Sequence, residues 1–459
     1  MTLPLGFTSS DAGALPLDLV GRADFAAWRD ALPAPTAAWV QTQGFDGSAG
    51  TVVLLPGPDG ALMGAAVGTG ADPLDPYAYG HAPFALPARS WRTSDRLEPG
   101  VRDALRLGWG LGSYRFDRYK APPRAPAQLL VADAGDEVFA VLAASVRVRD
   151  LVNTPTEHMG PAELEQVARE IAQRHGAKIE VIAGDALIER NFPAIHAVGR
   201  ASHRAPRLIA LEWGDAAHPH VALVGKGVCF DTGGLDLKPA DGMRWMKKDM
   251  GGAAHAIALA ELIMARKLPL RITLLVPAVE NAVGPNAFRP GEVIATRQGI
   301  SVEIDNTDAE GRVVLCDALT YASERKPALL LDFATLTGAA RIALGPDLPA
   351  LYSNQDTLAQ DWLDAGVAQR DPVWRMPLWR PYLRYLTSHI ADIANGGPSK
   401  MAGSVTAALY LERFVPADQA WAHLDVYSWN DADRAGRPAG GEAQGLRAVY
   451  AMLKARAAG

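Results

Sequence analysis

Short apolar runs alternate with amphipathic stretches over the last two thirds of the chain. The runs, rich in Val, Ile and Leu, lie at residues 179–182, 208–211, 221–224, 272–276 and 329–333. Between them, apolar positions at helical spacing occur at about 161–174, at 251–265 and after Gly311. Strands and helices alternating in this way are typical of a mostly parallel sheet covered on both faces. We therefore predict an α/β/α domain with its ligand site at the carboxyl ends of the strands.

The first part of the chain predicts a smaller α/β domain. Its pattern indicates strands at 39–41, 52–55 and 61–67, a PGPDG turn at 56–60, and a helix at 101–111. The composition shifts near Val146, where a helix end and a loop punctuated by Pro and Gly precede the next amphipathic helix. The predicted fold is thus a small N-terminal α/β domain at 1–140 followed by a larger α/β domain at 141–459.

Composition and charge narrow the class of protein. The chain has 459 residues, 49% of them hydrophobic, which is enough to bury a large core. The net charge of −6 and the absence of a Lys/Arg block argue against a nucleic-acid or anionic-membrane partner. The N-terminus lacks a signal-peptide pattern, and no apolar run is long enough to span a membrane. Two cysteines, Cys229 and Cys316, fit buried packing residues in a reducing cytoplasm.

The heptapeptide NTDAEGR, residues 306–312, is the first candidate for chemistry. In an extended segment, Asp308 and Glu310 would project from one face and could bind a cation. The following Gly311 would let the backbone turn before a helix. An equally simple interpretation is a capping box, in which Thr307 and Glu310 only satisfy free amides at the helix start. The heptapeptide by itself leaves both interpretations open.

Two further segments carry acids and lysines at predicted strand-to-helix junctions. GKGVCFDTGGLDLKP at 225–239 contains Lys226, Asp231 and Lys238, and KKDMGGAA contains Asp249. Each has an ordinary alternative, namely a salt-bridged lysine, an Asx turn or a helix N-cap. The coincidence of four acids at the junctions of one predicted sheet favours a cation site. Oxygen ligands with at most one amine suit Mn²⁺, Mg²⁺ or Zn²⁺, and shared carboxylates suggest a pair of ions.

Taken together, NTDAEGR, VGKGVCFDTGG with LKP, and KKDMGGAA resemble the leucyl aminopeptidase (cytosol aminopeptidase) family of two-metal exopeptidases. FRPGEVI at 288–294, DFATLTGAAR at 332–341 and the segment at 391–414 are similar as well. The likeness covers about residues 145–450. The segment at 436–447 departs from the family by extra residues before its arginine, and the N-terminal domain matches only loosely. These departures concern residue preference and accessory roles rather than the metal residues.

The resemblance implies a ligand set for two divalent ions per subunit, Mn²⁺ or Zn²⁺. The tighter ion would be held by Lys226, Asp231, Asp249 and Glu310. The more exchangeable ion would be held by Asp231, Asp308 and Glu310, with Asp231 and Glu310 as bridging carboxylates.

Further roles follow from the same resemblance. Lys238 would polarise the scissile carbonyl, and Arg312 would hold a bicarbonate ion that relays the proton from the attacking, metal-bridging water. The residues matching the family's substrate pocket are Met246, Asn306, Thr335, Leu336 and Gly338.

The implied function is release of N-terminal residues, leucine or similar, from short peptides by a cytoplasmic metallo-aminopeptidase. The family is usually hexameric, so the domain at 1–140 would have an oligomer or accessory role and the domain at 141–459 would be catalytic. Two other functions stay open at this point. One is a DNA-binding accessory protein, which the negative charge disfavours. The other is a catalytically silent homologue, although every candidate ligand is present.

Overall fold

The computed structural model describes residues 3–94, 96–132, 135, 137–399 and 401–458. The chain divides into two compact units. The first comprises Met1–Val146 with Asn430–Gly440, and the second comprises Arg147–Trp429 with Gly441–Gly459. This division falls within the helix Glu137–Asn153, as does the predicted boundary at residue 140, which stays a prediction.

The first unit carries one sheet and several short helices. In chain order its elements are β1 (Phe7–Thr8), β2 (Leu15–Gly21), α1 (Phe25–Asp30), α2 (Ala34–Thr42), β3 (Val52–Pro56), β4 (Leu62–Gly70), α3 (Ala82–Ala85), β5 (Ser90–Arg92), α4 (Pro99–Ser113), β6 (Gln128–Leu130) and α5 (Glu137–Asn153), the last shared with the second unit. The six strands form a sheet in the order β1-β6-β5-β2-β4-β3. The predicted strands at 52–55 and 61–67 and the helix at 101–111 are confirmed.

The predicted strand at 39–41 is wrong, because these residues lie in the helix α2. Proline stands in its first turn, where the missing N–H removes no hydrogen bond, and a run of helix-compatible residues follows. Of its residues only Val40 is buried, so the helix shows little amphipathic periodicity. Trp39 is exposed and donates its indole N–H to the Leu54 carbonyl 2.9 Å away. The helix-start signal was therefore the better guide than the β propensity of Trp and Val.

The second unit contains the alternation that the sequence predicts. After α5 its elements are α6 (Pro161–His175), β7 (Lys178–Ala183), α7 (Ala186–Glu189), α8 (Pro193–Gly199), β8 (Arg207–Trp213), β9 (His220–Gly225), β10 (Gly227–Asp231), α9 (Ala240–Met243), α10 (Gly251–Ala265), β11 (Arg271–Asn281), β12 (Val293–Ile294), β13 (Val302–Glu303), α11 (Glu310–Ser323), β14 (Leu329–Ala334), α12 (Gly338–Leu344), β15 (Ala350–Ser353), α13 (Asp356–Ala368), β16 (Trp374–Arg375), β17 (Ile393–Ala394), α14 (Gly403–Glu412), β18 (Trp421–Asp425), β19 (Trp429–Asn430), β20 (Gly440–Gly441) and α15 (Leu446–Ala458). The 3₁₀ turns are Pro76–Ala78 in the first unit and Thr156–His158, Met246–Met250 and Arg380–Leu386 in the second.

A nine-stranded sheet forms the centre of the second unit. Its strands follow the order β16-β15-β18-β14-β9-β11-β8-β7, and β10 pairs with one end of β11. The ladders between β18, β14, β9, β11 and β10 are parallel, whereas β7, β8 and β15 pair antiparallel. The predicted mostly parallel sheet is thus confirmed, with antiparallel strands toward both edges.

Two groups of helices cover this sheet. One group, α6, α10, α13 and α15, is linked by contacts of α10 with α6 and α15, and the other consists of α8, α11 and α14. Strand β9 contacts α10 from the first group and α11 from the second. After His220 the whole strand is buried, as expected for a central strand covered on both faces.

Helix α10 lies unusually close to the sheet because its first turns consist of small residues. A Cβ atom on Gly252 would lie 2.1 Å from the Phe333 carbonyl oxygen of β14. A Cβ atom on Gly225, at the end of β9, would lie 2.6 Å from the Ala253 Cα atom. The GGAA sequence is therefore required by backbone contact, and it brings the start of α10 to the carboxyl ends of β9 and β14.

Cys229 and Cys316 are both buried free thiols, which confirms them as packing residues. Burial raises the pKa of both thiols well above its usual value, so neither is set up as a nucleophile. In the described part of the chain, every helix is too short or too polar to span a membrane.

Candidate metal centre

Lys226 lies between β9 and β10 and is fixed by its own backbone. Its N–H donates to the Phe333 carbonyl over 2.9 Å, and its carbonyl accepts from the Ala253 N–H over 2.8 Å. These bonds join the residue to β14 and to the start of α10. The side chain is 3% exposed, and its Nζ donates to the Thr335 carbonyl over 3.0 Å. Lys226 is therefore a buried, positioned amine rather than a solvated surface lysine.

Asp231 is the last residue of β10, at the carboxyl end of the sheet. Its Oδ1 accepts from the Gly233 N–H and from the Asn281 side-chain amide, both over 2.8 Å. The first of these bonds is the Asx turn that the sequence allowed, and Gly233 adopts a φ of +86° to make it. The second oxygen, Oδ2, lies 2.8 Å from Lys238 Nζ. One carboxylate oxygen thus holds the turn, and the other faces the cluster.

Asp249 lies in the 3₁₀ turn Met246–Met250 that leads into α10. The N-cap position of α10 belongs to Met250, so the interpretation of Asp249 as a helix cap is not realised. Instead, its Oδ1 accepts from the Thr335 hydroxyl over 2.9 Å, and its Oδ2 lies 2.7 Å from Lys226 Nζ.

Asp308 and Glu310 are arranged differently from the extended segment that we predicted. Helix α11 begins at Glu310, and Asp308 lies in a turn two residues earlier. The strand preceding them, β13, belongs to a separate three-stranded sheet with β12 and β17. Only Asp231 ends a strand of the central sheet, so the prediction of four acids at the junctions of one sheet is wrong in detail. The four acids lie close together because separate loops meet at the carboxyl ends of the central strands.

The turn before α11 is held by side chains from other segments. Thr307 donates its hydroxyl to the Gly233 carbonyl over 2.6 Å, and its N–H donates to Asp236 Oδ2 over 2.7 Å. Asn395 accepts from the Asp305 and Asn306 N–H groups and donates to the Asn306 carbonyl. The capping-box interpretation is thereby excluded, because Ala309 occupies the N-cap and Thr307 is engaged elsewhere.

Gly311 has a different role from the turn that we predicted. It is the second residue of α11, and its φ is not in the left-handed region. A Cβ atom here would lie 2.5 Å from Lys226 Cε and 2.6 Å from Lys226 Nζ. The glycine of NTDAEGR therefore provides the space through which the Lys226 side chain reaches Glu310.

The candidate ligands form one compact cluster. Each of Asp231, Asp308 and Glu310 offers a carboxylate oxygen within 4.8 Å of the other two. Lys226 Nζ lies 2.9 Å from Glu310 Oε1, and Lys238 Nζ contacts Asp308 Oδ1 as well as Asp231. All of these groups except Asp308 and Lys238 are nearly inaccessible to solvent. Four acids and two lysines leave the cluster with a net negative charge when all are ionised.

Among the described residues, several oxygens in this cluster have no hydrogen-bond donor. Glu310 Oε2 is one of them, and Asp249 Oδ2 and Asp308 Oδ1 lie at salt-bridge distance from lysine ammonium groups but without hydrogen-bond geometry. Buried carboxylate oxygens are normally satisfied by several donors, so unused acceptor capacity here indicates room for cations. Carboxylate oxygens plus one amine are a donor set that divalent ions accept, so the residues present fit a metal pair.

Burial and mutual repulsion shift the pKa values of these carboxyls. Burial, with the Glu310 and Asp249 carboxylates, holds the pKa of Asp231 well above its usual range. Burial raises the pKa of Asp249 to about 6 against the opposing effect of Lys226. Burial alone would raise the pKa of Glu310, but the Lys226 and Lys238 ammonium groups hold it below its usual value. Without cations the cluster therefore retains protons, which metal binding would release.

The cluster opens into a cavity of about 300 Å³. Lys226, Asp231, Lys238, Asp249, Asp308 and Glu310 line one side of it. Of the predicted substrate residues, Met246, Thr335, Leu336 and Gly338 line the cavity as well. Asn306 does not: it is exposed, and its side-chain oxygen accepts from the Asp308 N–H over 2.8 Å, which shapes the turn carrying that acid.

Arg312 is buried behind the cluster and is not among the residues lining the cavity. Its Nη1 donates to the Asn395 carbonyl over 2.8 Å, and its guanidinium carbon lies 6.0 Å from the centroid of the Tyr410 ring. Its Nε has no hydrogen-bond partner within the described residues. A guanidinium N–H without a partner among the described residues can donate to an oxygen of a small planar anion.

Sequence reasoning missed four further residues that line the cavity, namely Lys248, Arg341, Asp425 and Tyr427. Lys248 is 8% exposed, and burial lowers its pKa to about 8, so it stays mostly protonated at pH 7. Asp425 ends β18 and accepts from the Leu336 N–H and from the Thr337 N–H and hydroxyl. The only sequence signal for Lys248 was its position next to Asp249, which is too little to indicate a pocket residue.

Comparisons with known proteins identify the family of the chain. Residues 146–450 match the cytosol aminopeptidase family, catalytic domain, and residues 15–132 match the M17 aminopeptidase, N-terminal domain. A probable cytosol aminopeptidase of Syntrophotalea carbinolica is 41% identical over 365 residues, which covers 75% of this chain and 73% of the relative.

Solved structures are also similar. The crystal structure of the cytosol aminopeptidase from Coxiella burnetii has a TM-score of 0.94 at 47% identity and covers 97% of this chain and 98% of its own. The bottromycin maturation enzyme BotP in complex with Mn has a TM-score of 0.87 at 34% identity and covers 97% of this chain and 99% of its own. The chain therefore belongs to the cytosol aminopeptidase (M17) family, the divalent-metal-dependent hydrolases that remove N-terminal residues from peptides.

Proposed function

We propose that this chain is a two-metal aminopeptidase that releases leucine or a similar N-terminal residue from short peptides. The observation that carries the proposal is the convergence of four carboxylates and one buried lysine, with unused acceptor oxygens, on one wall of a cavity. A structural salt-bridge cluster would satisfy its oxygens, and in the part of the chain that the structure describes Glu310 Oε2 has no hydrogen-bond donor.

The distances support the predicted ligand sets. Lys226, Asp249 and Glu310 are joined by contacts of 2.7 and 2.9 Å, so they would hold the first ion together with Asp231. Asp231, Asp308 and Glu310 would hold the second, because their oxygens already lie within 4.8 Å of one another. Lys226 binds a metal only as a neutral amine, so loading the site would require it to lose a proton.

A metal pair in this position would supply Lewis acidity and an activated water for attack on the scissile carbonyl. Lys238 would assist this attack with its side-chain ammonium group. Its Nζ lies between Asp231 and Asp308, and it is more exposed than Lys226. With cations bound, those carboxylates would hold the Lys238 ammonium less tightly. The ammonium would then be able to donate to the carbonyl oxygen of the substrate as negative charge develops there.

Arg312 would hold bicarbonate, which would supply a proton acceptor close to the cluster. Its free Nε, its burial and its fixed position against the Asn395 carbonyl support this role. Met246 and Leu336 would provide an apolar wall for the first side chain, and Thr335 and Gly338 would border it. Asn306 would act by shaping the turn that carries Asp308.

Assembly, location and metal identity are also proposals. We propose Mn²⁺ or Zn²⁺ as the bound ions, and BotP, the relative bound to Mn, supports the first. A homohexamer in the cytoplasm follows from family resemblance, with residues 1–140 in an oligomer or accessory role and residues 141–459 catalytic. Two cysteines, both buried and reduced, are compatible with that compartment.

Metal stoichiometry tests the core of the proposal. Protein stripped with chelator and then dialysed against Mn²⁺ is expected to retain two ions per chain, measured by plasma mass spectrometry. Binding in weak buffer at pH 8 should release at least one proton per chain, because the Lys226 amine must be neutral to bind a metal. Retention of a single ion, or binding without proton release, would contradict the assigned ligand sets.

Removing the arginine tests the bicarbonate role. Arg312→Met is expected to lower kcat for leucine p-nitroanilide by about 10- to 100-fold, because a positioned proton acceptor contributes about that much or more. Added bicarbonate should stimulate wild-type enzyme stripped of carbonate and leave the variant unchanged. Arg325→Met is the matched control, since Arg325 also lies over a tyrosine ring, 3.8 Å from the Tyr321 centroid, but pairs with Glu212. An Arg312→Met enzyme that still responds to bicarbonate would refute the role.

A further inference from the structure

Two cations that line the cavity, Lys248 and Arg341, lie against the same tyrosine ring. Lys248 Nζ lies 4.9 Å from the centroid of the Tyr427 ring, and the Arg341 guanidinium carbon lies 4.8 Å from the same centroid. All three residues line the cavity. Arg341 is exposed and lies toward solvent, whereas Lys248 is 8% exposed. The tyrosine ring face attracts both cations, but it provides no anionic counter-charge.

No carboxylate of the described residues forms an ion pair with Lys248, although those of Asp249 and Asp425 act on it electrostatically. Within the described residues its Nζ makes no hydrogen bond and no ion pair, which is unfavourable for an amine so nearly buried. The neighbouring Asp249 carboxylate is engaged by Lys226 and by Thr335. Asp425, which also lines the cavity, accepts from the Leu336 and Thr337 amides and the Thr337 hydroxyl. A molecule that enters the cavity can therefore supply Lys248 with a hydrogen-bonded counter-ion.

The position of Lys248 indicates which part of a peptide reaches it. Lys248 belongs to the same 3₁₀ turn as Met246, the predicted apolar wall, and as Asp249, a proposed metal ligand. A group bound here is attached close to the amino end of the substrate, because the amine and the scissile bond lie at the metal cluster. The methylenes of such a side chain would pass the apolar wall before its end group meets the amine.

We infer that Lys248 determines specificity, binding the side-chain carboxylate of an acidic N-terminal residue while Arg341 adds positive potential at the mouth of the cavity. This inference rests on the proposed aminopeptidase function and extends its substrates from leucine-like residues to glutamate and aspartate. The carboxylate at the C-terminus of a dipeptide has the same chemistry. We favour the side-chain carboxylate, because the C-terminal one lies a residue further from the amine and closer to solvent, where Arg341 is.

The test compares two substrates that differ only in charge, the α-p-nitroanilides of glutamate and glutamine, at pH 7. The p-nitroaniline leaving group carries no carboxylate. Any difference in kcat/KM between the two substrates therefore comes from the side chain of the N-terminal residue. Lys248→Met is expected to lower the glutamate-to-glutamine ratio of kcat/KM by about 10- to 100-fold, the contribution of a hydrogen bond to a charged group. The ratio does not depend on the fraction of active enzyme, so partial misfolding or metal loss cancels. Lys248→Arg, which keeps a cationic donor, should recover most of the wild-type ratio.

Arg341→Met is the matched control, because Arg341 contacts the same ring from an exposed position. It is expected to change the ratio by less than about threefold, the modest effect of an exposed charge. A larger fall in Arg341→Met than in Lys248→Met would overturn the assignment to Lys248. An unchanged ratio in Lys248→Met, with a selective loss for Leu-Ala against its C-terminal amide, would show that the C-terminal carboxylate is bound instead. Absence of turnover with every substrate in Mn²⁺-loaded wild type would refute the proposed function itself.

Discussion

Replacing Glu310 by glutamine is expected to lower kcat/KM for leucine p-nitroanilide on the order of 1,000-fold, since it removes a proposed bridging ligand and the electrostatic stabilisation that depends on it. Glu310 is 1% exposed, and its pKa is held below the usual value by Lys226 and Lys238, so it is ionised at every assay pH near neutrality. Glutamine keeps the shape but offers one neutral oxygen and an amide N–H₂ group. That group would face either Lys226 or a metal ion, and both are unfavourable partners for a donor.

Glu212→Gln provides the control for this substitution. Glu212 lies on β8 in the same unit, pairs with Arg325 at 3.4 Å and does not line the cavity. Activity of this variant should stay within about twofold of wild type, as for most surface changes. Metal content of both variants is measured alongside kcat/KM. Turnover by Glu310→Gln above a tenth of wild type, with two ions still bound, would exclude Glu310 as a bridging ligand.

Most of the central sheet could be predicted because its strands are continuous apolar runs. Strand β9, for example, is buried along all of its length after His220, so no polar residue interrupts its pattern. Helix α10 was predicted with its observed bounds for a related reason, since its small residues allow close packing against β14. The N-terminal unit was harder. Residues 39–41 lie in a helix with one buried residue. Because so little of this helix is packed against the core, its sequence shows no clear helical pattern of apolar residues.

The candidate site could be identified from the sequence, but its geometry could not. NTDAEGR indicated two acids that the structure places in the carboxylate cluster, yet the reason for its glycine depends on Lys226, a residue far away in the chain that passes over it. The turn before α11 is shaped by Asp236 and Asn395, which no local spacing connects to it. The two cations that line the cavity were missed entirely, because Lys248 and Arg341 meet at Tyr427 only after three separate segments have folded together. Contacts of this kind are set by topology rather than by local pattern.

Binding of Mn²⁺ should raise the apparent melting temperature strongly at pH 8 and much less below pH 6. A ligand at 1,000 times its Kd stabilises the folded state by roughly 4 kcal/mol, which corresponds to a shift of about 8–16 °C for a domain of this size class. Protons compete for the same oxygens, because burial raises the pKa of Asp249 to about 6 and raises the pKa values of Asp231 and Asp308 as well. The shift is therefore expected to shrink as the pH falls through about 6.

The melting temperature of the metal-free protein should rise as the pH falls, whereas the Mn²⁺ shift shrinks. The melting temperatures with and without Mn²⁺ should therefore converge at low pH. A carboxyl whose folded pKa lies above its unfolded value binds more protons when folded, so its ionisation destabilises the protein as the pH rises through the folded pKa. The contribution of Asp249 to the stability of the metal-free fold is therefore largest below its unfolded pKa of 3.8, falls as the pH rises to about 6 and is constant above that. Melting scans with and without Mn²⁺ from pH 5 to pH 8 measure both trends, and Glu310→Gln should lose most of the Mn²⁺ shift. A Mn²⁺ shift independent of pH would mean that the ions bind outside the carboxylate cluster, because only there must they displace protons from buried acids.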